Sequence, residues 1–175
     1  MIDGFVLTAD TLRRQFKAIP QEQRDRCRAF SVRIWRGLSW LERSESAMDV
    51  EGRFISLWIA FNAIYGHLQG NGLSAPDHVT WQTFLAAISK ADTARRLTGI
   101  LWNRQVDILR MIDSRYQYRP FWLGHADAEE KLKRSRKRAI MHFNNQNVVG
   151  VLEELFERLY VLRQQVFHGA ATASP

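Results

Sequence analysis

The sequence predicts an all-α protein, an antiparallel helical bundle of about five to six helices. Apolar residues recur at spacings of three and four along most of the 175 residues, which is the period of an amphipathic helix. No segment shows the two-residue alternation or the turn chemistry of a β-hairpin. A hydrophobic fraction of 46% and an aromatic fraction of 11% can supply one core, so a single domain over residues 1–175 is expected.

The first predicted helix follows Pro20, because proline fits the first turn of a helix. Its apolar positions are Phe30, Ile34, Leu38 and Leu41. Its other positions carry Arg24, Arg26, Arg28, Arg33, Arg36 and Arg43. These arginines form either a basic binding face or an ordinary solvated surface.

A second helix is predicted from about Val50 to Leu68, because apolar side chains cover most of its circumference before a glycine-rich break. It is expected to be the central helix. Residues 70–79 are predicted to be a loop, with Thr80 capping a short helix that ends near Ser89.

Asp92 is predicted to cap the next helix. The apolar side of that helix is Leu97, Leu101, Ile108 and Ile112. The stretch 115–124 contains Pro120 and several aromatic residues, and it is predicted to be an ordered loop that the aromatic side chains anchor.

The last two predicted helices differ strongly in charge. Ala126 to about Asn145 is the most basic segment, and its predicted RNA-binding residues are Lys131, Lys133, Arg134, Arg136, Lys137 and Arg138. The final helix has an apolar seam at Val148, Leu152, Leu155, Leu159, Leu162 and Val166. Gly169 is predicted to end it.

The overall composition favours a basic protein of the cytoplasm. Twenty-five Lys and Arg against 18 Asp and Glu give a net charge of +7, which attracts nucleic acid or an acidic partner, or simply aids solubility. Cys27 is the single cysteine, so no intramolecular disulfide can form, and a reducing compartment is favoured. The longest apolar segment, Phe54 to Tyr65, is too short to span a membrane, and no secretory leader is expected.

An arginine and a histidine near the end of the last helix have the side chains that phosphodiester chemistry needs. Arg163 offers a planar donor fork suited to a phosphate, and His168 offers a general acid or base. Gln164 and His168 share a face of the helix at a spacing of four, so this amide is predicted to orient the imidazole. By spacing alone, a helix-terminal histidine is more often a capping group.

Two blocks of the sequence together resemble the HEPN superfamily, especially its Apea-like branch. The first block is Arg53-Phe-Ile-Ser-Leu-Trp-Ile-Ala-Phe-Asn62-Ala-Ile-Tyr-Gly66, and the second is Arg158-Leu-Tyr-Val-Leu-Arg163 followed by His168-Gly169. The resemblance covers roughly residues 25–172. It implies a helical bundle that dimerises and brings two Arg-x-x-x-x-His motifs into one cleft for metal-independent RNA cleavage.

By this resemblance Arg163 and His168 are the predicted catalytic residues, and Gln164 supports them. The implied setting is a toxin–antitoxin or phage-defence system in the cytoplasm, with RNA, a second copy of the chain and an antitoxin or regulatory protein as partners. Gln164 stands where the family commonly has Asn, Asp or His. Ala170 replaces a tyrosine that is modified in some family toxins, so regulation through that residue is not expected.

Asn62 is the remaining predicted site residue. It lies within the apolar block, so it either bonds backbone, which is favoured, or supports the cleft from the second helix. The other histidines lack metal-ligand spacing, and no nucleotide-binding loop is present, so neither a metal nor a cofactor is predicted. The alternative to an enzyme is a non-catalytic HEPN module that binds RNA or protein.

Overall fold

The computed structural model describes residues 7–66 and 77–169, and over these ranges the chain is helical without a β-strand. The predicted all-α class is confirmed. The described part contains ten α-helices and one 3₁₀ helix, so the predicted count of five to six was wrong. None of the helices in these ranges has the length and apolar character needed to cross a bilayer.

Two compact units divide the chain, one within residues 1–77 and one within residues 78–175. The first unit contains α1 (Ala9–Ala18), α2 (Gln21–Arg26), α3 (Arg28–Glu45) and α4 (Val50–Tyr65). The second contains α5 (Asp77–Ala91), which begins at the boundary, α6 (Arg96–Asn103), α7 (Gln105–Asp113), the 3₁₀ helix Arg115–Gln117, α8 (Arg119–Trp122), α9 (Ala128–Asn144) and α10 (Val148–Phe167). The expectation of a single domain stays a prediction.

The first predicted helix is divided in two at Cys27, whose φ of −114° and ψ of 40° leave the helical region. A further helix, α1, precedes it and was not predicted. α1 lies antiparallel to α3: the Ala9 N–H donates to Glu45 Oε1 at 2.7 Å, and Arg13 pairs with Glu42 at 2.7 Å. The helix also has local signals: Thr8 is its N-cap, with the side-chain hydroxyl accepting from the Thr11 N–H at 3.2 Å, and Asp10 lies in its first turn.

α3 and α4 form the most extensive helix pair of the first unit, and they are antiparallel. Arg33 Nη1 donates to the Ile64 carbonyl at 3.3 Å, and Gly37, one turn along α3, lies against the same isoleucine. A Cβ at Gly37 would come within 2.7 Å of Ile64 Cγ1. Glycine therefore permits the close approach of the two helices at this point.

The boundary between α4 and α5 differs from the prediction. α4 ends at Tyr65, while the predicted end, Leu68, and residues 70–76 of the predicted loop lie outside the described residues. α5 begins at Asp77, so Thr80 is inside the helix and not at its N-cap. An acidic residue is favourable in the first turn of a helix, which explains the earlier start.

In the second unit the Asp92 side chain caps the next helix, as predicted, although Arg95 occupies the N-cap position itself. Its carboxylate accepts hydrogen bonds from the backbone N–H groups of Arg96 at 2.8 Å and Leu97 at 2.9 Å. The helix that follows was predicted to be continuous, but it is divided at Arg104, where φ is −110° and ψ is 15°. Asp107 in the first turn of α7 favours this second start, and it pairs with Arg104 at 3.6 Å.

The stretch 115–124, predicted to be a loop, contains the 3₁₀ helix and the short helix α8. The Tyr118 ring anchors it to α10, as predicted, because it lies 4.4 Å from Arg158 Cζ, and other rings of the stretch contact one another. Trp122 Nε1 donates to the Tyr116 carbonyl at 2.5 Å, and the rings of Tyr116 and Phe121 meet edge to face at 5.9 Å. Pro120 lies in the first turn of α8 and accounts for the helical start, because its fixed φ suits that position.

α9 and α10 form an antiparallel hairpin with a short turn. Asn147 caps α10, since its side-chain oxygen accepts from the Gly150 N–H at 3.0 Å. A Cβ at Gly150 would lie 2.5 Å from His142 Nδ1, so the two helices meet closely here. The turn fixes which residues of α9 face which residues of α10.

The buried face of α10 is offset from the predicted apolar seam. Of the six seam residues, Leu152 is buried and the rest are half-buried. The more deeply buried stripe passes through Val151, Glu154, Arg158, Val161 and Gln165. Three of these side chains are polar, and their burial is possible because each has a partner on a neighbouring element.

Candidate active site and basic surfaces

The C-terminal end of α10 carries His168, one of the two predicted catalytic side chains. His168 is the C-cap residue, and its backbone N–H donates to the Gln164 carbonyl at 3.0 Å. Gly169 then leaves the helix with φ of +68°, a left-handed conformation that glycine adopts without strain, so Gly169 ends the helix as predicted. The His168 side chain is exposed, which leaves its imidazole accessible to a substrate.

Arg163, the other predicted catalytic residue, is packed against aromatic rings of its own helix. Its Cζ atom lies 5.1 Å from the centroid of the Phe167 ring and 6.0 Å from that of Tyr160. Its Nε is buried and has no hydrogen-bond partner among the described residues. No carboxylate pairs with Arg163 in that part of the chain, so its positive charge is available to an external anion.

Two neighbouring glutamines near the catalytic pair have different surroundings. Gln164 is half-buried, and within residues 77–169 no hydrogen bond joins it to the His168 imidazole, so its orienting role stays a prediction. Gln165 is 9% exposed, and its Nε2 donates to the Tyr116 carbonyl at 2.5 Å. The amide that anchors the end of α10 is thus Gln165, which sequence reasoning missed. Gln165 follows Arg158 by seven residues, so both side chains lie on the same buried face of α10.

A buried polar network joins α7, α9 and α10. The Ser135 hydroxyl donates to Glu154 Oε2 at 2.5 Å, and it accepts from Arg158 Nη2 at 2.6 Å. Arg158 Nε donates to the Ile112 carbonyl at 3.2 Å, and Arg138 Nε donates to Glu154 Oε1 at 2.7 Å. The network therefore satisfies a buried guanidinium and a buried carboxylate with one shared hydroxyl between them.

Arg158 is the centre of this network and is 2% exposed. Its guanidinium lies 4.4 Å from the centroid of the Tyr118 ring, a cation–π contact. Burial lowers the pKa of Arg158, and the nearby Glu154 charge opposes that effect. Because a guanidinium stays protonated in proteins, the second unit contains a buried positive charge. Arg158 belongs to the block quoted for the family resemblance, but no role was predicted for it from the sequence.

A cleft of about 350 Å³ opens beside the network. Its charged lining residues are Arg119, Arg138, Arg158, Glu153, Glu154 and Glu157. The three positive charges equal the three negative charges, so this cleft does not concentrate either anions or cations. Its polar groups serve mainly to hold α9 against α10.

The predicted RNA-binding residues of α9 do not all face one surface. A shallow groove of about 320 Å³ is lined by Lys133, Arg134, Arg136, Lys137, Glu130 and Ile140. Lys131 and Arg138 are not part of it. Lys131 pairs with Asp127 at 3.0 Å, and Arg138 pairs with Glu154 in the polar network.

Two cations of this groove remain without an acidic partner in the part of the chain that the structure describes. Arg134 pairs with Glu130 at 3.7 Å, and Arg136 pairs with Asp113 at 3.2 Å. Lys133 and Lys137, which share a face of α9 at a spacing of four, are exposed and form no ion pair there. These two lysines are the groove's free charges.

Asn62, the predicted supporting residue, lies in α4 of the first unit. Its backbone carbonyl accepts from the Gly66 N–H at 2.8 Å. Its side-chain Oδ1 is buried and has no hydrogen-bond partner among the described residues, so it does not make the expected bond to backbone. Arg163, Gln164 and His168 all lie in the second unit.

Within residues 7–66 and 77–169, no cluster of three or more His, Cys, Asp or Glu side chains could hold a metal ion. Comparison of the chain with protein-family models, with curated proteins and with solved structures gives no match.

Proposed function

We propose that the protein is a metal-independent RNA endonuclease of the HEPN type, with Arg163 and His168 as its catalytic residues. The observation that carries the proposal is the end of α10, where an exposed imidazole follows an arginine that no carboxylate neutralises in the described part of the chain. The two sequence blocks that resemble the family add to it. The basic net charge of +7 favours an RNA substrate.

The proposed reaction needs a proton acceptor, a proton donor and a cation. The ribose 2′-oxygen attacks the adjacent phosphorus while the bond from phosphorus to the 5′-oxygen breaks, leaving a 2′,3′-cyclic phosphate and a 5′-hydroxyl. In a homodimer one copy of His168 accepts the 2′-hydroxyl proton and the other donates a proton to the leaving oxygen. Arg163 stabilises the negative charge that develops on the phosphoryl oxygens.

Cleavage assays with matched variants test this assignment. We expect His168→Ala and Arg163→Ala each to lower the rate of RNA cleavage at least about 100-fold. His125→Ala, which removes an exposed histidine in the turn before α9, should leave the rate unchanged. Equal melting temperatures would show that the variants are folded. Full activity in both catalytic variants would contradict the assignment.

The composite site of a homodimer predicts a specific result when wild-type and His168→Ala protomers are mixed. A mixed dimer retains both Arg163 side chains but only one His168, whereas the proposed reaction needs one histidine as proton acceptor and another as proton donor. Cleavage is therefore expected to fall more steeply than the fraction of wild-type protomers after subunit exchange. A fall in strict proportion to that fraction, although mixed dimers are detected by mass, would contradict a shared site.

The proposed biological setting is a toxin or phage-defence system of the cytoplasm, with an antitoxin or regulatory protein as partner. An RNA endonuclease without a neutralising partner should arrest growth when it is expressed alone. Growth arrest by the wild-type chain and normal growth with His168→Ala is the expected pair of results. Equal growth with both proteins would count against this setting.

A second function is favoured by the groove on α9. Its free lysines, Lys133 and Lys137, suit a non-catalytic module that binds RNA through phosphates. This function predicts binding that weakens steeply with salt and no cleavage of any RNA. Lys133→Ala with Lys137→Ala should lower the salt slope by about two, whereas Arg110→Ala, at an exposed residue of α7, should not.

A further inference from the structure

A groove in the first unit combines an exposed tryptophan ring with arginines. It lies where α1 and α2 meet α3 and has a volume of about 480 Å³. Its apolar wall consists of Phe16, Val32 and Trp35. Its charged lining residues are Arg24, Asp25, Arg28 and Arg36. Three positive charges against one negative charge give this groove a clear preference for anions.

Trp35 is the largest apolar surface of the groove. It is 44% exposed, and its ring lies 6.5 Å from that of Phe16. Arg13 Cζ and Lys17 Nζ lie 5.2 Å and 5.7 Å from its centroid. An exposed indole among cations is the arrangement on which a nucleobase can stack while its phosphates meet positive charge.

Two arginines of the groove, Arg28 and Arg36, are free to contact a ligand. Arg28, Trp35 and Arg36 lie on the same side of α3, at spacings of seven and eight residues. Both arginines are exposed, and neither forms an ion pair within residues 7–66 or 77–169. Arg24 is held differently, since its Nε donates to the Ile19 carbonyl at 3.1 Å and its guanidinium lies over the Phe16 ring.

We propose that this groove binds single-stranded RNA, with a base stacked on Trp35 and the flanking phosphates paired with Arg28 and Arg36. A duplex hides its base faces and would leave the indole unused. An acidic peptide would satisfy the arginines but not the rings. The choice of RNA rests on the proposed function, whereas binding in this groove requires no cleavage at His168.

Cys27, the single cysteine, provides a local reporter. It is exposed and directly precedes Arg28 at the edge of the groove. A photoactivated benzophenone attached to Cys27 in the full-length His168→Ala protein should crosslink a fluorescent single-stranded RNA of about 12 nucleotides. The crosslink reports RNA that lies beside Cys27, and variants of the groove residues show whether the groove itself holds that RNA.

Matched variants of α3 test the role of each group. Trp35→Ala should lower the crosslink yield roughly 5- to 100-fold at limiting protein, and Trp35→Phe should restore most of it. Trp40→Ala is the control, since Trp40 is 39% exposed on the same helix but outside the groove. Arg28→Gln with Arg36→Gln should also lower the yield, whereas Arg43→Gln should not. The arginine pair keeps the test valid if Trp35→Ala fails to fold.

Several results would overturn the proposal. These are the absence of a crosslink, equal crosslinking of a duplex RNA, full competition by a polyglutamate peptide of matched charge, or no effect of the Trp35 and arginine variants. RNA cleavage is measured separately with His168 intact. A protein that crosslinks as expected but does not cut RNA would contradict the ribonuclease function and leave the groove assignment standing.

Discussion

The guanidinium of Arg158 and the hydroxyl of Ser135 are joined by a 2.6 Å hydrogen bond in the interior of the second unit. The bond connects α10 to α9, and the same hydroxyl donates onward to Glu154. Arg158 therefore balances the buried charge of Glu154 and holds α10 against α9. The C-terminal end of the same helix carries Arg163 and His168. Loss of this side chain would leave polar groups in the interior without partners.

Arg158→Ala should lower the free energy of unfolding by about 3–5 kcal/mol, because it removes one member of a buried charged network. Arg158→Met should cost less, since it fills the space while Glu154 keeps its bonds to Ser135 and Arg138. Urea denaturation measures both. Arg110→Ala, at an exposed arginine, should change stability by no more than about 0.5 kcal/mol. A loss below about 1 kcal/mol in Arg158→Ala would contradict the structural role.

The Gln165 side chain should keep the last turns of α10 helical and packed against the 3₁₀ helix. Gln165→Leu removes its bond to the Tyr116 carbonyl and should destabilise the second unit by about 1–2 kcal/mol. Amide hydrogen exchange should accelerate most in residues 163–168. Gln164→Leu, the matched change at the neighbouring half-buried position, should have the smaller effect on exchange. Equal effects of the two changes on exchange would contradict the anchoring role of Gln165.

Gly37 sets the distance between α3 and α4. Gly37→Val should lower the free energy of unfolding by about 1–3 kcal/mol, since its side chain overlaps Ile64 and forces the helices apart. Thermal melts measure the change. Ser39→Val introduces the same side chain at an exposed position of α3 and should alter the melting temperature little. An unchanged melting temperature in Gly37→Val would contradict the close approach of the two helices.

The Arg13–Glu42 pair predicts how acid weakens the first unit. The hydrogen bond from Arg13 lowers the pKa of Glu42, and the nearby Asp10 charge opposes that shift. A carboxylate with a lowered pKa in the folded state stabilises the fold above its unfolded pKa, and this contribution is lost as pH falls through the folded value. The melting temperature should therefore decrease as the pH is lowered beneath about 5. Glu42→Gln should make this decrease smaller. Glu129→Gln, at an exposed glutamate without an ion pair in the described part of the chain, should not.

Local sequence patterns predicted the helices but not their interruptions. The spacing of apolar residues located α3, α4 and α10 because each helix buries one face, whereas α9 was predicted from its run of charged residues. The breaks at Cys27 and Arg104 have no proline or glycine to mark them, and only the second is followed by an acidic residue, Asp107, in the first turn of the next helix. α1 has local signals of its own, the Thr8 N-cap and Asp10 in the first turn, which the sequence-based prediction did not use.

The candidate site was predicted in part. Arg163 and His168 were identifiable because residue type and spacing are properties of the sequence. The polar network around Arg158 was not, since its partners lie on other helices and its position on α10 was assigned to neither the apolar seam nor the active site. Gln165 and not Gln164 anchors the helix because its side of α10 faces the Tyr116 carbonyl, and this depends on tertiary packing.

Incubation of the purified wild-type protein and His168→Ala with a mixed RNA pool in EDTA tests the ribonuclease assignment. Both cleavage and the chemistry of the new RNA ends should be read. The expected result is cleavage by the wild type alone, with 2′,3′-cyclic phosphate and 5′-hydroxyl ends. Intact RNA with both proteins, or equal cleavage by both, would contradict catalysis by His168.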